Sequence, residues 1–144
     1  MPQRTIRDII EEQELLTVPA STTVCEAARL MKQRHVGAVM VVEAGKLVGV
    51  FTERDALFRI VAEERDSKTT PLAEVMTHNP QTVNPDQSFA HALKMMSEGG
   101  FRHVPVVENG SPVGIVSVRD ALGPELEAFV YEMLLQDQVN EVLA

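Results

Sequence analysis

Gly49-Val50-Phe51-Thr52-Glu53-Arg54-Asp55 is answered, sixty-five residues later, by Gly114-Ile115-Val116-Ser117-Val118-Arg119-Asp120. Each heptapeptide starts as an apolar strand and ends in a hydroxyl followed, three residues on, by a carboxylate. That spacing predicts a capping box, in which Thr52 or Ser117 accepts an amide of the first helical turn and Asp55 or Asp120 reaches back. The same local geometry suits an anion, because a helix N-terminus offers unpaired amides and the positive end of a dipole. A carboxylate one turn in can accept the vicinal hydroxyls of a ribose. The neighbouring guanidinium, Arg54 or Arg119, can meet a phosphate in a fork geometry. Cap and ligand site are compatible roles for one set of residues.

The heptapeptides are the ends of a longer internal repeat. Placing Thr17–Leu57 on Thr82–Leu122 gives fifteen identities in 41 pairs, where average residue usage would give roughly two or three. The matches include Val41-Val42-Glu43 on Val106-Val107-Glu108 and Arg54-Asp55-Ala56-Leu57 on Arg119-Asp120-Ala121-Leu122. Upstream, Ile6–Ile10 aligns with Leu72–Met76 at an offset of 66.

In each unit a short strand (Leu15–Val18; Gln81–Val83) precedes a helix. In the first unit Thr23 and Glu26 mark its start with a capping-box spacing, and apolar residues recur at helical intervals from Val24 and from Phe89. Two β-rich runs follow, joined by Ala44-Gly45 or Asn109-Gly110 as the turn. A second helix is expected to begin near Thr52 or Ser117. The predicted class is α/β (α+β), with two β-α-β-β-α units. They span 6–62 and 72–122, with a polar linker at 63–71 and an amphipathic helix and tail at 123–144. In that last segment Leu126, Phe129, Val130, Met133 and Leu134 share a face, suited to packing on its own domain or to a subunit interface.

The composition narrows the function. The chain has 144 residues, 44% of them hydrophobic and 24% charged, with a net charge of −8. The pI near 4.9 argues against wrapping nucleic acid or binding anionic membranes, both of which need a Lys/Arg surplus. The acidity sits at the ends: residues 123–144 hold five acids and no base, and 1–16 hold four acids against two arginines. The repeat-bearing stretch 17–122 is therefore only −1, with eleven bases and twelve acids, so a small anionic ligand is not excluded. Cys25 has no cysteine partner, the start of the chain does not resemble a signal peptide, and the longest clean apolar run, Ala38–Val42, cannot cross a bilayer. A soluble, cytoplasmic protein is expected.

Two units of this order, each closing on Gly-apolar-x-(Thr/Ser)-x-Arg-Asp after Val39-Met40-Val41-Val42 or Val104-Pro105-Val106-Val107, resemble a tandem pair of cystathionine-β-synthase (CBS) domains, a Bateman module. The resemblance spans about residues 6–122. It implies two units packed through their sheets about a pseudo-twofold axis, with two clefts for adenosine ligands: AMP, ADP, ATP, NAD or S-adenosylmethionine. By position, Asp55 and Asp120 would bind ribose, Thr52 and Ser117 phosphate or ribose, and Val50 and Ile115 would sandwich adenine with backbone from the other unit's first hairpin strand. Just ahead of that strand, unit two has Phe101-Arg102-His103 where unit one has Val36-Gly37-Ala38. Arg102 can neutralise a phosphate and Gly37 cannot, so the Asp120 site is expected to hold phosphorylated ligands more tightly, with His103 a further candidate contact. The resemblance also implies a homodimer, for which Ile6–Ile10 and Leu126–Leu134 are the candidate contact segments.

Other signals point away from catalysis. His35, His78, His91 and His103 have no metal-ligand spacing. Cys25 reads as a small packed residue, the glycines form no dinucleotide or Walker fingerprint, and the methionines fill cores. No activated nucleophile or acid–base pair assembles from neighbouring residues. The expectation is a non-enzymatic adenine-nucleotide sensor without a required cofactor. Its alternatives are a ligand-free dimerisation scaffold, or a regulatory subunit of a separately encoded enzyme or transporter.

Overall fold

A computed structural model of the chain describes residues 4–143, with side chains through residue 139. Its elements, in order, are α1 (Ile6–Ile10), β1 (Thr17–Val18), α2 (Val24–Arg34), β2 (Ala38–Glu43), β3 (Lys46–Thr52), α3 (Glu53–Asp55), β4 (Thr77–His78), α4 (Phe89–Gly99), β5 (His103–Glu108), β6 (Ser111–Ser117) and α5 (Gly123–Leu143). A π-helix over Ala56–Val61 continues α3, and 3₁₀ turns lie at Leu72–Glu74 and Val118–Asp120. The mixed helix-and-strand class follows the expectation.

The chain forms two compact units. The repeat-one unit contains Glu14–Gln81 and Val107–Pro112, and the repeat-two unit contains Thr82–Val106 together with the described residues up to Gln13 and from Val113 onward. In the first, β1 runs parallel to β2, which pairs antiparallel with β3, and β4 adds to the far side of β3. Ala44 and Asn109 take positive φ (49° and 56°) in the two hairpin turns, the handedness that tight β-hairpins require.

Each α-helix of the repeats is started by its own side chain. Thr23 and Glu26 form the predicted capping box on α2, and Ser88 accepts the His91 amide at α4. The β-branched alternation of β2 and β3 sends Val39, Val41 and Phe51 into a core with Val24, Ala27 and Met31. Val104, Val106 and Val116 do the same against Phe89, Ala92 and Met96. Truncating fully buried Phe51 or Phe89 to alanine removes contacts worth about 3–5 kcal/mol.

The segment preceding each repeat packs on the other repeat's hairpin. Ile6 and Ile10 are buried with Phe89 and Val116, while Leu72, Val75 and Met76 are buried with Phe51 and Met31. The stitching is the same in both units. Ile6 N donates to Gln87 O and Phe89 N to Arg4 O; correspondingly, Leu72 N donates to Thr22 O and Val24 N to Thr70 O. A Cβ on Gly49 would lie 2.4 Å from Met76 Sδ, and one on Gly114 would lie 2.7 Å from Ile10 Cγ2. The absent side chain lets the incoming segment approach the second hairpin strand. Ile6–Ile10 therefore spends its apolar face inside the unit, which corrects its expected use as a dimer contact.

Three other expectations change. The polar stretch at 63–71 is built into the repeat-one unit: Ser67 and Thr70 carbonyls accept the Cys25 and Val24 amides at 2.9 Å, covering orphan donors of α2. The predicted strand Gln81–Val83 shrinks to a single bridge, Val83 to Val106, and Leu15–Val18 to Thr17–Val18. After Ser117 there is one 3₁₀ turn instead of a helix, and α5 begins at Gly123. Its Phe129 is buried and Met133 partly so against the unit core, whereas Leu126, Val130 and Leu134 are exposed.

Candidate nucleotide-binding helix starts

In the repeat-one unit, strand pairing sets Ala38 opposite Thr52 and Met40 opposite Val50. Ala38, Met40 and Val50 are buried but lie outside the core formed by Val39, Val41 and Phe51, on the other sheet face. Thr52 is extended (φ −120°, ψ 165°), and its Oγ1 accepts the Asp55 amide at 3.2 Å. The Asp55 carboxylate accepts the Thr52 amide at 2.9 Å, and Glu53 N donates to Gly37 O at 3.0 Å. Arg59 Nε stands 3.7 Å from the second Asp55 oxygen, and its Nη1 donates to the Val75 and Met76 carbonyls. Arg54 lies 5.8 Å from the centroid of the Phe58 ring. Val36 belongs to the exit of α2, its amide donating to Met31 O.

The repeat-two unit repeats the arrangement with different surroundings. The Asp120 carboxylate accepts the Ser117 amide at 2.8 Å, and Ser117 Oγ accepts the Arg119 amide at 3.2 Å. Val118 N donates to Arg102 O at 3.2 Å, the counterpart of the Glu53–Gly37 bond. Arg102 is thus fixed by its backbone beside Ser117, with an exposed side chain, and His103 begins β5 half-buried. Ile115 is half-buried, and its backbone is held on both sides by the Gln13 side chain, Nε2 to Ile115 O at 2.7 Å and Ile115 N to Oε1 at 2.8 Å.

The structure brings Thr52, Arg54 and Asp55 together with Gly37 and Ala38, and Ser117, Arg119 and Asp120 together with Arg102. It also shows both carboxylates at work as helix caps. Sequence reasoning missed three supporting residues. Gln13 does for β6 what β4 does for β3, since Val50, the counterpart of Ile115, pairs with Thr77, and no local spacing pointed to it. Arg4 and Glu125 form an ion pair at the Asp120 turn. The Arg4 hydrogen bonds hold the Glu125 carboxyl below its ordinary value, aided by the Leu122 amide and opposed by partial burial. Among the described residues no group of three or more His, Cys, Asp or Glu could hold a metal ion, and no helix is long and apolar enough to cross a membrane.

The family described as "CBS domain" matches the chain twice, over residues 5–62 and 72–124. The chain belongs to the CBS-domain family. As a CBS pair it is 40% identical over 115 residues to the CBS domain-containing protein YhcV of Bacillus subtilis, covering 80% of this chain and 81% of that one. The match to CBSCBSPB1 of Arabidopsis thaliana (35% identity, 83% of this chain) takes up only 22% of that longer relative. Among solved structures, a CBS-domain protein from Burkholderia ambifaria superposes with a TM-score of 0.76 at 33% identity, covering 81% of this chain and 89% of its own. PAE2072 from Pyrobaculum aerophilum, complexed with AMP, superposes with a TM-score of 0.75 at 26% identity over 91% and 98%. The CBS domain pair of protein MJ0100, in complex with 5′-methylthioadenosine and S-adenosyl-L-methionine, does so at 0.74 and 28% over 83% and 93%.

Proposed function

We propose that this CBS pair is a non-enzymatic sensor of an adenine nucleotide, acting in the cytoplasm through a change of shape or assembly. The observation that carries the reading is the duplicated helix start: each repeat independently sets a hydroxyl, an arginine and a carboxylate around a first helical turn at the end of an apolar strand. In this reading Asp55 and Asp120 accept ribose hydroxyls, and Thr52, Ser117 and the adjoining arginines meet phosphate. Val50 and Ile115 provide aliphatic surface for the base, as suits a chain with no Trp and a single Tyr. The adenosine ligands of PAE2072 and MJ0100 support the ligand class. For ligand to switch the protein, it must bind one conformation better than the other.

One observation favours a second reading, the ligand-free scaffold: both carboxylates are already satisfied as caps. A thermal-shift panel with AMP, ADP, ATP, NAD and S-adenosylmethionine on wild type, Asp55→Ala and Asp120→Ala separates the two. Ligand at one hundred times its dissociation constant adds about 2.7 kcal/mol, a shift on the order of 5–10 °C. The sensor predicts that shift in wild type, a smaller one in each alanine variant, where the other repeat still binds, and its loss when both are combined. The scaffold predicts no shift with any ligand and a cap loss of about 1 kcal/mol per variant. The exposed Leu126, Val130 and Leu134 of α5 supply an apolar face for a homodimer, and a separately encoded effector is the other partner class in keeping with a regulatory subunit.

A further inference from the structure

The helix start of repeat two is interrupted where that of repeat one is continuous. Pro124 occupies the position that Arg59 holds in repeat one. An α-helix running on from Ser117 would need the amide of residue 124 to bond the Asp120 carbonyl, and proline has no amide hydrogen. The chain instead turns extended at Ala121 (φ −70°, ψ 135°) before starting α5. The Asp120 carbonyl that this break would strand is taken by Arg4, whose Nη2 donates to it at 2.8 Å. Both Nε and Nη2 of the same guanidinium bond the Glu125 carboxylate, and its carbon lies 5.3 Å from the Phe89 ring centroid. Glu125 also accepts the Leu122 amide at 2.8 Å, and the Arg4 carbonyl accepts the Phe89 amide at 2.8 Å.

We propose that Arg4 is the positioning residue of the repeat-two site: it stands in for the missing proline amide and, clasped by Glu125, fixes the turn that presents the Asp120 carboxylate and the Ser117 hydroxyl to ligand. The inference rests on the nucleotide reading above. Arg4 acts through the backbone carbonyl and the helix start, and touches no ligand itself. Repeat one needs no such residue, because Glu53–Asp55 runs straight into Ala56–Val61.

The test uses the full chain with Arg4→Met and Arg4→Lys, each placed in an Asp55→Ala background, which isolates repeat two, and in an Asp120→Ala background, which isolates repeat one. Calorimetry with AMP gives the affinities, and hydrogen exchange reads the Leu122 amide. Arg4→Met is expected to weaken AMP about tenfold in the Asp55→Ala background, to leave the repeat-one affinity unchanged, and to speed exchange at Leu122. Arg4→Lys should rescue part of the affinity, since an ammonium cannot hold the planar two-nitrogen grip. A merely structural role would lower melting temperature and both affinities together, and that result overturns the proposal. So does an unchanged repeat-two affinity, or unchanged Leu122 exchange. If wild type binds none of the adenosine ligands, the nucleotide reading falls and takes the positioning role with it. Ligand binding that ignores Arg4 overturns only the latter.

Discussion

From the second position after the cap, repeat one and repeat two carry the same four residues, Arg-Asp-Ala-Leu, yet only in repeat one do they continue into a helix. What decides is the next pair: Phe58-Arg59 in one, Gly123-Pro124 in the other. Phe58 and Arg59 extend the first turn into the π-helix, and Arg59 returns to the Asp55 carboxylate and to the Val75 and Met76 carbonyls. Proline denies the Asp120 carbonyl its helical donor and restricts the residue before it. Identical local sequence thus yields two differently supported carboxylates: Asp55 is backed by a cation on its own helix, whereas the Asp120 turn is secured by a residue from the far N-terminal segment.

The charge around the two caps differs as well. Gly37 and Arg102 occupy matching positions, each accepting the first helical amide through its carbonyl, but only Arg102 adds a side-chain cation. The largest expected effect follows from that. Arg102→Glu should weaken binding of AMP or ATP by about a hundredfold, the cost of opposing like charges at a phosphate, while Gly37→Glu should matter less. Equal affinities in calorimetry for wild type and Arg102→Glu would remove phosphate recognition from repeat two and with it the inequality of the sites.

The second helices differ in what they leave uncovered. Both repeats expose apolar side chains there: Leu57, Phe58 and Val61 on the π-helix, and Leu126, Val130 and Leu134 on the longer α5. The acids of residues 123–144 have no base among them, so a new carboxylate on α5 would meet like charge in a contact between copies. If α5 forms the proposed homodimer, Val130→Glu with Leu134→Glu is expected to convert it to monomer in light scattering, and Val61→Glu to weaken it less. A double variant that stays dimeric at micromolar concentration would take α5 out of the interface.

How much of this could be read from the sequence depends on the range of each interaction. Thr23 with Glu26, Thr52 with Asp55 and Ser117 with Asp120 are three-residue signals, and the structure forms all three caps. The hairpins were equally legible, because alternation and turn residues are local. Ile6–Ile10 was legible as an amphipathic segment but not in its destination, since periodicity states that a face is buried and not which repeat buries it. The stretch at 63–71 was legible as a polar linker, but not that its backbone carbonyls serve the amides of Val24 and Cys25, because composition does not say what a backbone carbonyl meets. Gln13, Arg4 and Glu125 act across roughly a hundred residues of chain or more, 102 for Gln13 with Ile115 and 121 for Arg4 with Glu125. No spacing rule reaches that far.

The smallest expected effect concerns the pair that holds the interrupted helix start. Glu125 has its pKa lowered from 4.5, first by the Arg4 hydrogen bonds and then by the Leu122 amide, against a partial desolvation. A carboxyl with a depressed folded-state pKa contributes stability that is fully present above its unfolded value and is lost as pH falls through the folded one. Wild type should therefore exceed Glu125→Gln in melting temperature at neutral pH, by an amount no larger than the about 1 kcal/mol of a partly exposed ion pair. The gap should narrow as pH drops below the ordinary carboxylate range and close once Glu125 is protonated. A gap for Glu125→Gln that stays constant from neutral pH into the acid range would show that the carboxylate charge contributes nothing to the turn, leaving the proline break to be held by the Arg4 bond to the Asp120 carbonyl.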